Sequence, residues 1–499
     1  MTTPSIDHES LNLESLRAPE SCDVAVIGGG ISGLVAGHRL AAAGAKVKVL
    51  EADDRIGGVI RSETRDDGLM ELGPFSVMVR SPEFQQLLDD LDLVPTTIDA
   101  GRARRRYIQL GGKLRLLPGS VLGLLLSNLL SLRGRIDLLK SALSDRMPGR
   151  ECGSTLHDFG VRRFGKEFAD HIVGPGTIGI FGAEAWELET EACLPAFHRE
   201  DGLARTTLGL IRGLQRNAPP GPPRRLMSLD GGLSSLIERL ASRMDDAVIT
   251  GARVKRILRV GSGFQISQAE GRPLRASSVV LAVGPETTAR LTAEIAPRVC
   301  ELVRDIRVAG LGVVHLVFDD RQVGRALDGF GYLVPATERD MDPVLGVIWP
   351  GSVFPEHRVP GKTVIRVMVG GTRWPLALSL DDRMLVQQCL DRVRAIHRIQ
   401  GEPQNAKVTR WHASVPVYGP GHADRIREIE ESFSGIPELK LAGSWICPPR
   451  GGVGVNDRVR HAHEVAGELL EHLNSRKTSF APTSVSPEDR DVMSRKDSA

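Results

Sequence analysis

Asp23-Val24-Ala25-Val26-Ile27-Gly28-Gly29-Gly30-Ile31-Ser32-Gly33 is the stretch whose reading decides the fold. Residues 23–27 are short, β-branched and uninterrupted, the pattern of a parallel strand buried on both faces. Residues 31–40 then predict a helix running back along that strand. Between them, Gly28-x-Gly30-x-x-Gly33 has the spacing of a dinucleotide-binding turn. Gly28 makes the tight turn, Gly30 lets backbone approach a pyrophosphate, and Gly33 lets the helix pack close. The helix start adds unpaired N–H groups and partial positive charge. A second predicted strand, residues 46–50, ends in Glu51, where a carboxylate accepts a ribose hydroxyl and repels the extra phosphate of NADP. A tight turn that binds nothing would not need that continuation.

The following segment, Glu51-Ala52-Asp53-Asp54-Arg55-Ile56-Gly57-Gly58-Val59-Ile60-Arg61, separates FAD from NAD. Its two glycines let another backbone segment lie against the cofactor. Arg55 and Arg61 are cations available to phosphates or to a flavin ring. Glu71-Leu72-Gly73-Pro74 is a turn signal closing an apolar stretch. Together these resemble the opening of the amine-oxidase-like flavoproteins, and the resemblance makes FAD the expected cofactor.

Bulk properties agree with a large enzyme. At 499 residues the chain exceeds what one core supports, so two or three lobes are expected. A net charge of +2, with 25% charged residues spread throughout, leaves no footprint for nucleic acid. The six cysteines lack ligand spacing, which suits reduced thiols in a cytoplasmic setting. Arg460-His461-Ala462-His463 has no companion ligands, so it is expected on an exposed helix and no metal site is predicted. Residues 1–20 are polar and without signal-peptide character. From Asn474 the chain is rich in Ser, Lys, Asp and Pro and reads as a disordered tail.

Further strand signals predict a cofactor domain assembled from distant pieces. A helix is expected from about residue 233 to 244, strands over 247–249 and 253–257, and a hairpin to 268. Residues 277–283 and 439–443 read as buried strands, and 456–473 as the last helix. The organisation expected is a Rossmann-like α/β FAD-binding domain in three parts (21–81, 226–299 and 436–473), with disordered ends over 1–20 and 474–499. Residues 82–225 would form a helical, membrane-facing and substrate lobe, and 300–435 a mixed-sheet substrate domain with strands near 312–318, 345–348 and 363–369. Near the last strand, Gly451-Gly452-Val453-Gly454-Val455-Asn456-Asp457 begins a helix. Such a start, aimed at the flavin pyrimidine, would stabilise negative charge developing there. The bland reading is a Gly-rich loop capped by Asn456 or Asp457.

A narrower resemblance rests on several motifs in order: Arg106-Tyr107-Ile108-Gln109-Leu110-Gly111-Gly112, Gly329-Phe330-Gly331-Tyr332-Leu333-Val334-Pro335, Val344-Leu345-Gly346-Val347-Ile348, Val364-Ile365-Arg366-Val367-Met368-Val369, and Val453-Gly454-Val455-Asn456-Asp457. These resemble the oxygen-dependent protoporphyrinogen oxidase family over roughly residues 22–470. The resemblance implies oxidation of a porphyrinogen to a porphyrin, three successive hydrides passing to flavin N5 and peroxide released from molecular oxygen. It implies no catalytic side chain; the protein orients the macrocycle and dries the site. It assigns Arg106 to a substrate carboxylate, Phe330, Leu333, Ile348 and Met368 to an apolar slot, and Gly179 to a close backbone approach. For the flavin it assigns Gly28, Gly29, Gly30, Ile31, Ser32, Gly33, Glu51, Ala52, Arg55, Gly58, Val59, Gly73, Pro74, Phe75, Ser76, Val254, Ser444, Val453, Gly454 and Val455. Two departures stand out. Phe75 occupies a position expected to be polar or basic, and the turn from Ser444 to Gly452 is longer than the pattern.

Leu116 to Leu132 holds one charge-free run of apolar residues from 116 on, 17 residues in all, too short to span a bilayer and interrupted by Pro118, Gly119, Gly123 and Asn128. With Arg133, Arg135 and Lys140 following, it reads as a helix lying in a membrane interface, on the inner face of the cell membrane; a helix buried within its own domain is the alternative. The resemblance leaves room for a homodimer and for hand-over of product to the next haem-pathway enzyme. Three rival functions remain: the same chemistry on coproporphyrinogen III, whose carboxylates the cluster Arg102-Ala103-Arg104-Arg105-Arg106 could meet; a flavin amine oxidase, which three tyrosines make a poor match; and a non-catalytic porphyrin carrier.

Overall fold

The computed structural model describes residues 20–100, 105–143, 154–194, 225–336, 343–446 and 452–479. The architecture is α/β and is dominated by two sheets of seven strands each. The first sheet runs, in spatial order, Val248–Ile249, Val47–Leu50, Glu20–Ile27, Leu274–Leu281, Gly263–Gln268 and Val254–Val260, with Leu439–Leu441 paired to Leu274–Leu281. Its central strands are parallel, Val24 lying opposite Val47 on one side and Ser278 on the other. Helices cover both faces, which is why these strands read as continuous apolar runs. On one face Ile31–Ala42 and Val455–Ser479 share a core containing Leu34, Val459, Ala462 and Ala466. On the other, Pro285–Thr292 and Pro297–Arg304 bring Ala289, Val299 and Val303 against Ala25, Ile27 and Val279.

The second sheet is mixed. Its order is Asn405–Pro416, Val308–Asp319, Lys362–Gly370, Val344–Ile348, Gly331–Leu333, Arg106–Leu110 and Lys113–Leu116. All pairs are antiparallel except Gly331–Leu333 with Arg106–Leu110. Because side chains alternate along strands, one face carries Tyr332, Val347 and Val367 and packs on the helix Asp382–His397 through Leu385, Leu390 and Val393. The opposite face carries Leu333, Ile348, Arg366 and Met368 and is turned toward the segment from Glu71 to Phe75.

Several elements differ from expectation. The apolar run from residue 116 is not one helix. Lys113–Leu116 is a strand, Pro118 and Gly119 break the chain, and only Val121–Leu126 is helical before a second helix, Leu132–Leu143. The last helix continues to Ser479, because residues 474–479 contain neither Gly nor Pro; the remainder of the expected tail, like residues 1–19, lies outside the described residues. His461 sits on that helix but is buried, and His463 is half-buried rather than exposed, lying beside Val35, His38 and Arg39 of Ile31–Ala42. No group of His, Cys, Asp and Glu able to hold a metal occurs among the described residues.

Candidate active site

The first sheet delivers its loops to one edge. Gly28 has φ +109°, and a Cβ there would meet the Ala282 carbonyl oxygen at 2.6 Å, so the turn needs glycine. A Cβ at Gly33 would lie 1.9 Å from the Gly28 carbonyl oxygen, which fixes how closely the helix can follow the strand. At Gly30 a Cβ would meet nothing within 4 Å, so this backbone faces open space. Ile31–Ala42 starts there without a side-chain cap and without an acidic residue in its first turn. Unpaired N–H groups beside open space are the donor set a pyrophosphate requires. Glu51 stands at the neighbouring strand end, its carboxylate accepting the Gly29 N–H at 2.6 Å and the Asp53 N–H at 2.9 Å. The backbone of Gly57 bridges to the glycine turn, its N–H donating to the Gly29 carbonyl at 2.8 Å, and Gly58 follows at φ +57°. These features fit the ADP half of FAD.

The other residues assigned to the flavin approach the same region from three directions. Arg55 donates to the carbonyls of Ile56 and Gly58 and lies 5.6 Å over the Trp411 ring. Gly73 is fixed by crowding: a Cβ there would fall 1.7 Å from the Val59 carbonyl oxygen. Val254 follows the segment in which Ala252 N–H donates to the Glu51 carbonyl at 2.7 Å. Tyr418 accounts for the C-terminal group: its hydroxyl donates to the Ser444 carbonyl, and its ring shares a core with Val453. Asn456 and Asp457 do not cap their own helix. Asn456 Oδ1 accepts the backbone N–H groups of Arg80 at 3.1 Å and Ser81 at 3.3 Å, and Asp457 receives Arg80 through both oxygens at 2.5 and 2.6 Å. They pin the helix start to the chain just past Ser76. Residues 447–451 of the turn lie outside the described residues.

Across from these loops, strand register gathers the residues assigned to the macrocycle. Arg106, Gly331, Ile348 and Arg366 are successive cross-strand partners, and so are Leu333, Gly346 and Met368 one pleat further on. Arg106, Leu333, Ile348 and Met368 therefore share one face. Phe330 joins them through Arg106, whose guanidinium carbon lies 5.4 Å over its ring. The helix Gly174–Phe181 closes on the same group: a Cβ at Gly179 would lie 2.8 Å from Leu333 Cδ2. Phe330, Leu333 and Met368 are partly exposed, as cleft walls are, and Arg106 is exposed.

The run before Arg106 is resolved at one neighbour. Arg105 pairs with Asp328 at 2.5 Å, and Tyr107 donates to the same carboxylate at 2.9 Å. Arg106 meets no carboxylate among the described residues. Arg102 and Arg104 lie outside them.

The loop from Gly73 to Ser76 and this sheet face meet directly. Phe75 packs edge-on against Phe330 at 5.9 Å and at a tilt of 42° against Phe354 at 5.5 Å. Phe75 thus serves as a wall between the two residue sets, which accounts for an aromatic where a polar side chain was expected. Trp411 Nε1 donates to the Leu72 carbonyl at 2.8 Å, and Arg366 Nη2 donates to the Gly73 carbonyl at 2.6 Å. Neither residue was singled out from sequence. The signal for Arg366 is present, as the lone charge within the apolar run 363–369. A separate cavity of ≈ 320 Å³ involves Leu69, Arg325 and Ser352, and none of the residues assigned to flavin or macrocycle lines it.

Buried titratable groups surround this junction. Burial pushes the Glu71 carboxyl up to about 7, against hydrogen bonds from Leu233 N–H and Ser62 Oγ that favour its charged form. Burial likewise pulls the Arg366 guanidinium down to about 10. His315, wholly buried opposite Arg366, is held neutral, its pKa lowered to about 3 by burial and then by Arg366.

Comparison with known proteins gives the family. The model of the family described as flavin containing amine oxidoreductase matches residues 31–470. The chain belongs to that family. It is accordingly an FAD-dependent oxidoreductase. Among relatives of this flavin oxidoreductase, the coproporphyrinogen III oxidase of Propionibacterium freudenreichii subsp. freudenreichii is 29% identical, with 90% of this chain and 91% of the relative covered. The protoporphyrinogen oxidase of Homo sapiens is 28% identical, with 90% and 98% covered. A solved structure from Exiguobacterium sp. 255-15 matches with a TM-score of 0.77 at 24% identity, covering 91% of this chain and 99% of that one, which bears on the fold.

Proposed function

We propose that this flavoprotein oxidises a porphyrinogen to a porphyrin, with molecular oxygen as the final acceptor and hydrogen peroxide as the by-product. The observation that carries this reading is the shared sheet face on which Arg106, Leu333, Ile348 and Met368 stand, joined to the flavin-side loop through Phe330 and Phe75. A flat, largely apolar macrocycle with acidic side arms needs such a surface: a greasy wall with a cation at its rim. Bound FAD supplies the two-electron chemistry. The chain's own part is to orient the ring against the flavin side, exclude water and hold a propionate at Arg106.

Protoporphyrinogen IX is the substrate we favour, because one guanidinium at the rim suits a ring whose acidic arms lie together on one side. Coproporphyrinogen III is the second reading, favoured by the arginines preceding Arg106 and by relatives bearing that name. Aerobic incubation of the FAD-loaded protein with each porphyrinogen, following porphyrin fluorescence and peroxide, tests both. Turnover of neither removes the proposal; the ratio of kcat/KM values assigns the substrate.

No helix among the described residues is long and apolar enough to cross a membrane. We nevertheless propose peripheral contact with the inner face of the cell membrane. Leu116, Val121, Leu122, Leu126, Leu132, Ile136 and Leu139 are half of the fourteen large apolar side chains exposed among the described residues, and Arg133 and Lys140 stand exposed among them. That concentration favours an interfacial surface over a helix buried in its own domain.

A further inference from the structure

We propose that Arg366 is a positioning residue that sets the flavin-side wall, Phe75, against the substrate face. The inference rests on the porphyrinogen reading for its kinetic consequence and on geometry for its assignment. Arg366 is 3% exposed and occupies the same cross-strand row as Arg106, Gly331 and Ile348. Its guanidinium leaves that row and crosses to the other lobe. There Nη2 donates to the Gly73 carbonyl at 2.6 Å, Nε donates to the Glu71 carbonyl at 3.3 Å, and the guanidinium carbon lies 5.7 Å over the Phe75 ring. One planar group therefore holds the chain leading into the turn at two carbonyls, Glu71 and Gly73, and lies over the Phe75 ring itself.

An arginine combines a flat cationic face with N–H donors spread over several nitrogens. A lysine ammonium is a point charge on a flexible stem, without a flat face or diverging donors. Simple adhesion between lobes would not need an arginine either, because a buried charge stabilises poorly relative to apolar packing. The neighbouring His315 sharpens the point. It is the next cross-strand partner of Arg366, and neither of its ring nitrogens has a hydrogen-bond partner among the described residues. Arg366 thus draws its fixed hydrogen bonds from the flavin loop and not from its own sheet. The distance from the Arg106 rim to the flavin side is then set by strand register through Arg366, alongside the Trp411 hydrogen bond to Leu72 and the Phe330 contact with Phe75.

Arg366→Lys keeps the charge, and Arg366→Gln keeps polar contact without it. Each would be prepared as the FAD-loaded full chain. If Arg366 positions Phe75, both variants retain a melting temperature within a few degrees of the parent, yet bind FAD more weakly and change the visible circular dichroism of the bound flavin. With porphyrinogen, kcat falls on the order of tenfold to a hundredfold while KM stays within about twofold, the opposite split from a variant at Arg106. Unaltered FAD affinity and flavin dichroism in a folded Arg366→Lys variant would overturn the assignment. That arm needs no substrate, so a parent protein that oxidises no porphyrinogen would defeat the proposed function while leaving this result decisive. If Arg366→Gln does not fold, the lysine variant alone decides.

Discussion

Arg105 and Arg106 are adjacent in the chain, yet Asp328 neutralises the first and no described carboxylate approaches the second. A substrate carboxylate would gain most from the cation that no protein group has claimed. Arg106→Ala is therefore expected to raise KM about tenfold, the order of one charge-assisted hydrogen bond at an exposed site, with FAD content preserved. Arg105→Ala should leave KM within about twofold; steady-state kinetics on both variants checks the contrast. His315 carries a second residue-scale prediction. Its folded-state pKa is lowered from 6.5 to about 3, chiefly by burial. Between those values the unfolded chain takes up a proton that the folded chain refuses, so stability is full above pH 6.5 and falls as pH decreases. His397 and His422, each lowered to about 4 by burial, act in the same direction. Glu71, raised to about 7, takes up a proton in the folded chain and opposes them, but three histidines outweigh one carboxyl, so the urea midpoint should drop between pH 7 and pH 5. His315→Leu should lessen that drop without loss at pH 7, because both ring nitrogens lack partners and an apolar replacement leaves nothing unsatisfied.

Elements with a strong local pattern are legible in the sequence, including strands such as Leu274–Leu281 and Leu439–Leu441 whose partners lie far away in the chain, but their registers are not. The turn from Gly28 to Gly33, the strands flanking it and the hairpin Val254–Val260 with Gly263–Gln268 follow from local pattern alone. The hairpin Arg106–Leu110 with Lys113–Leu116 was quoted as a motif without being recognised as a hairpin. Its turn, Gly111-Gly112 with φ +59° and +68°, is the two-residue signal that would have shown it. Asn405–Pro416 escaped notice because it pairs on one side only, with Val308–Asp319, and carries Lys407, Arg410 and His412 where a central strand would be apolar. The candidate site depends on rows that cross strands, such as Arg106 to Arg366, and no local pattern encodes such a register. The start of the terminal helix is similar: Asn456 and Asp457 looked like caps but reach back to residues 80 and 81. Asp457→Asn should cost about 1–2 kcal/mol, the range for a charged hydrogen bond whose arginine is partly exposed. It should also loosen FAD, because Val453 to Val455 precede that anchor. Thermal melting with and without added FAD measures both effects.

At the scale of the molecule, the second sheet is joined to the separate hairpin of Ser62–Arg65 and Gly68–Glu71 by a seam of opposite charge as well as by apolar contact. Lys407 faces Glu63 at 3.4 Å, Lys362 faces Asp67 at 3.7 Å, and Asn405 donates to Asp67 at 2.8 Å. Arg366, on the same strand as Lys362, adds its hydrogen bonds to Glu71 and Gly73 to this seam. The exposed apolar surface belongs to a different part of the chain, the helices Val121–Leu126 and Leu132–Leu143. Next to Gly179, which closes on Leu333, Ile180 is 62% exposed, so apolar surface also occurs at the edge of the substrate face. Surface chemistry and substrate chemistry can therefore be separated by mutation. Leu122 and Leu126 are 67% and 75% exposed and lie one helical turn apart, so glutamate at both positions disturbs no core packing. If this face enters a bilayer, each leucine contributes on the order of 1–2 kcal/mol of burial. The double variant Leu122→Glu, Leu126→Glu should then bind vesicles containing anionic lipid at least tenfold more weakly, by both lost burial and added repulsion. Turnover in detergent should stay within about twofold of the parent, because neither residue touches the sheet face that carries Arg106. Equal vesicle sedimentation of parent and variant would assign the patch to something other than lipid, whereas parallel loss of turnover would mean that the helical lobe shapes the cleft.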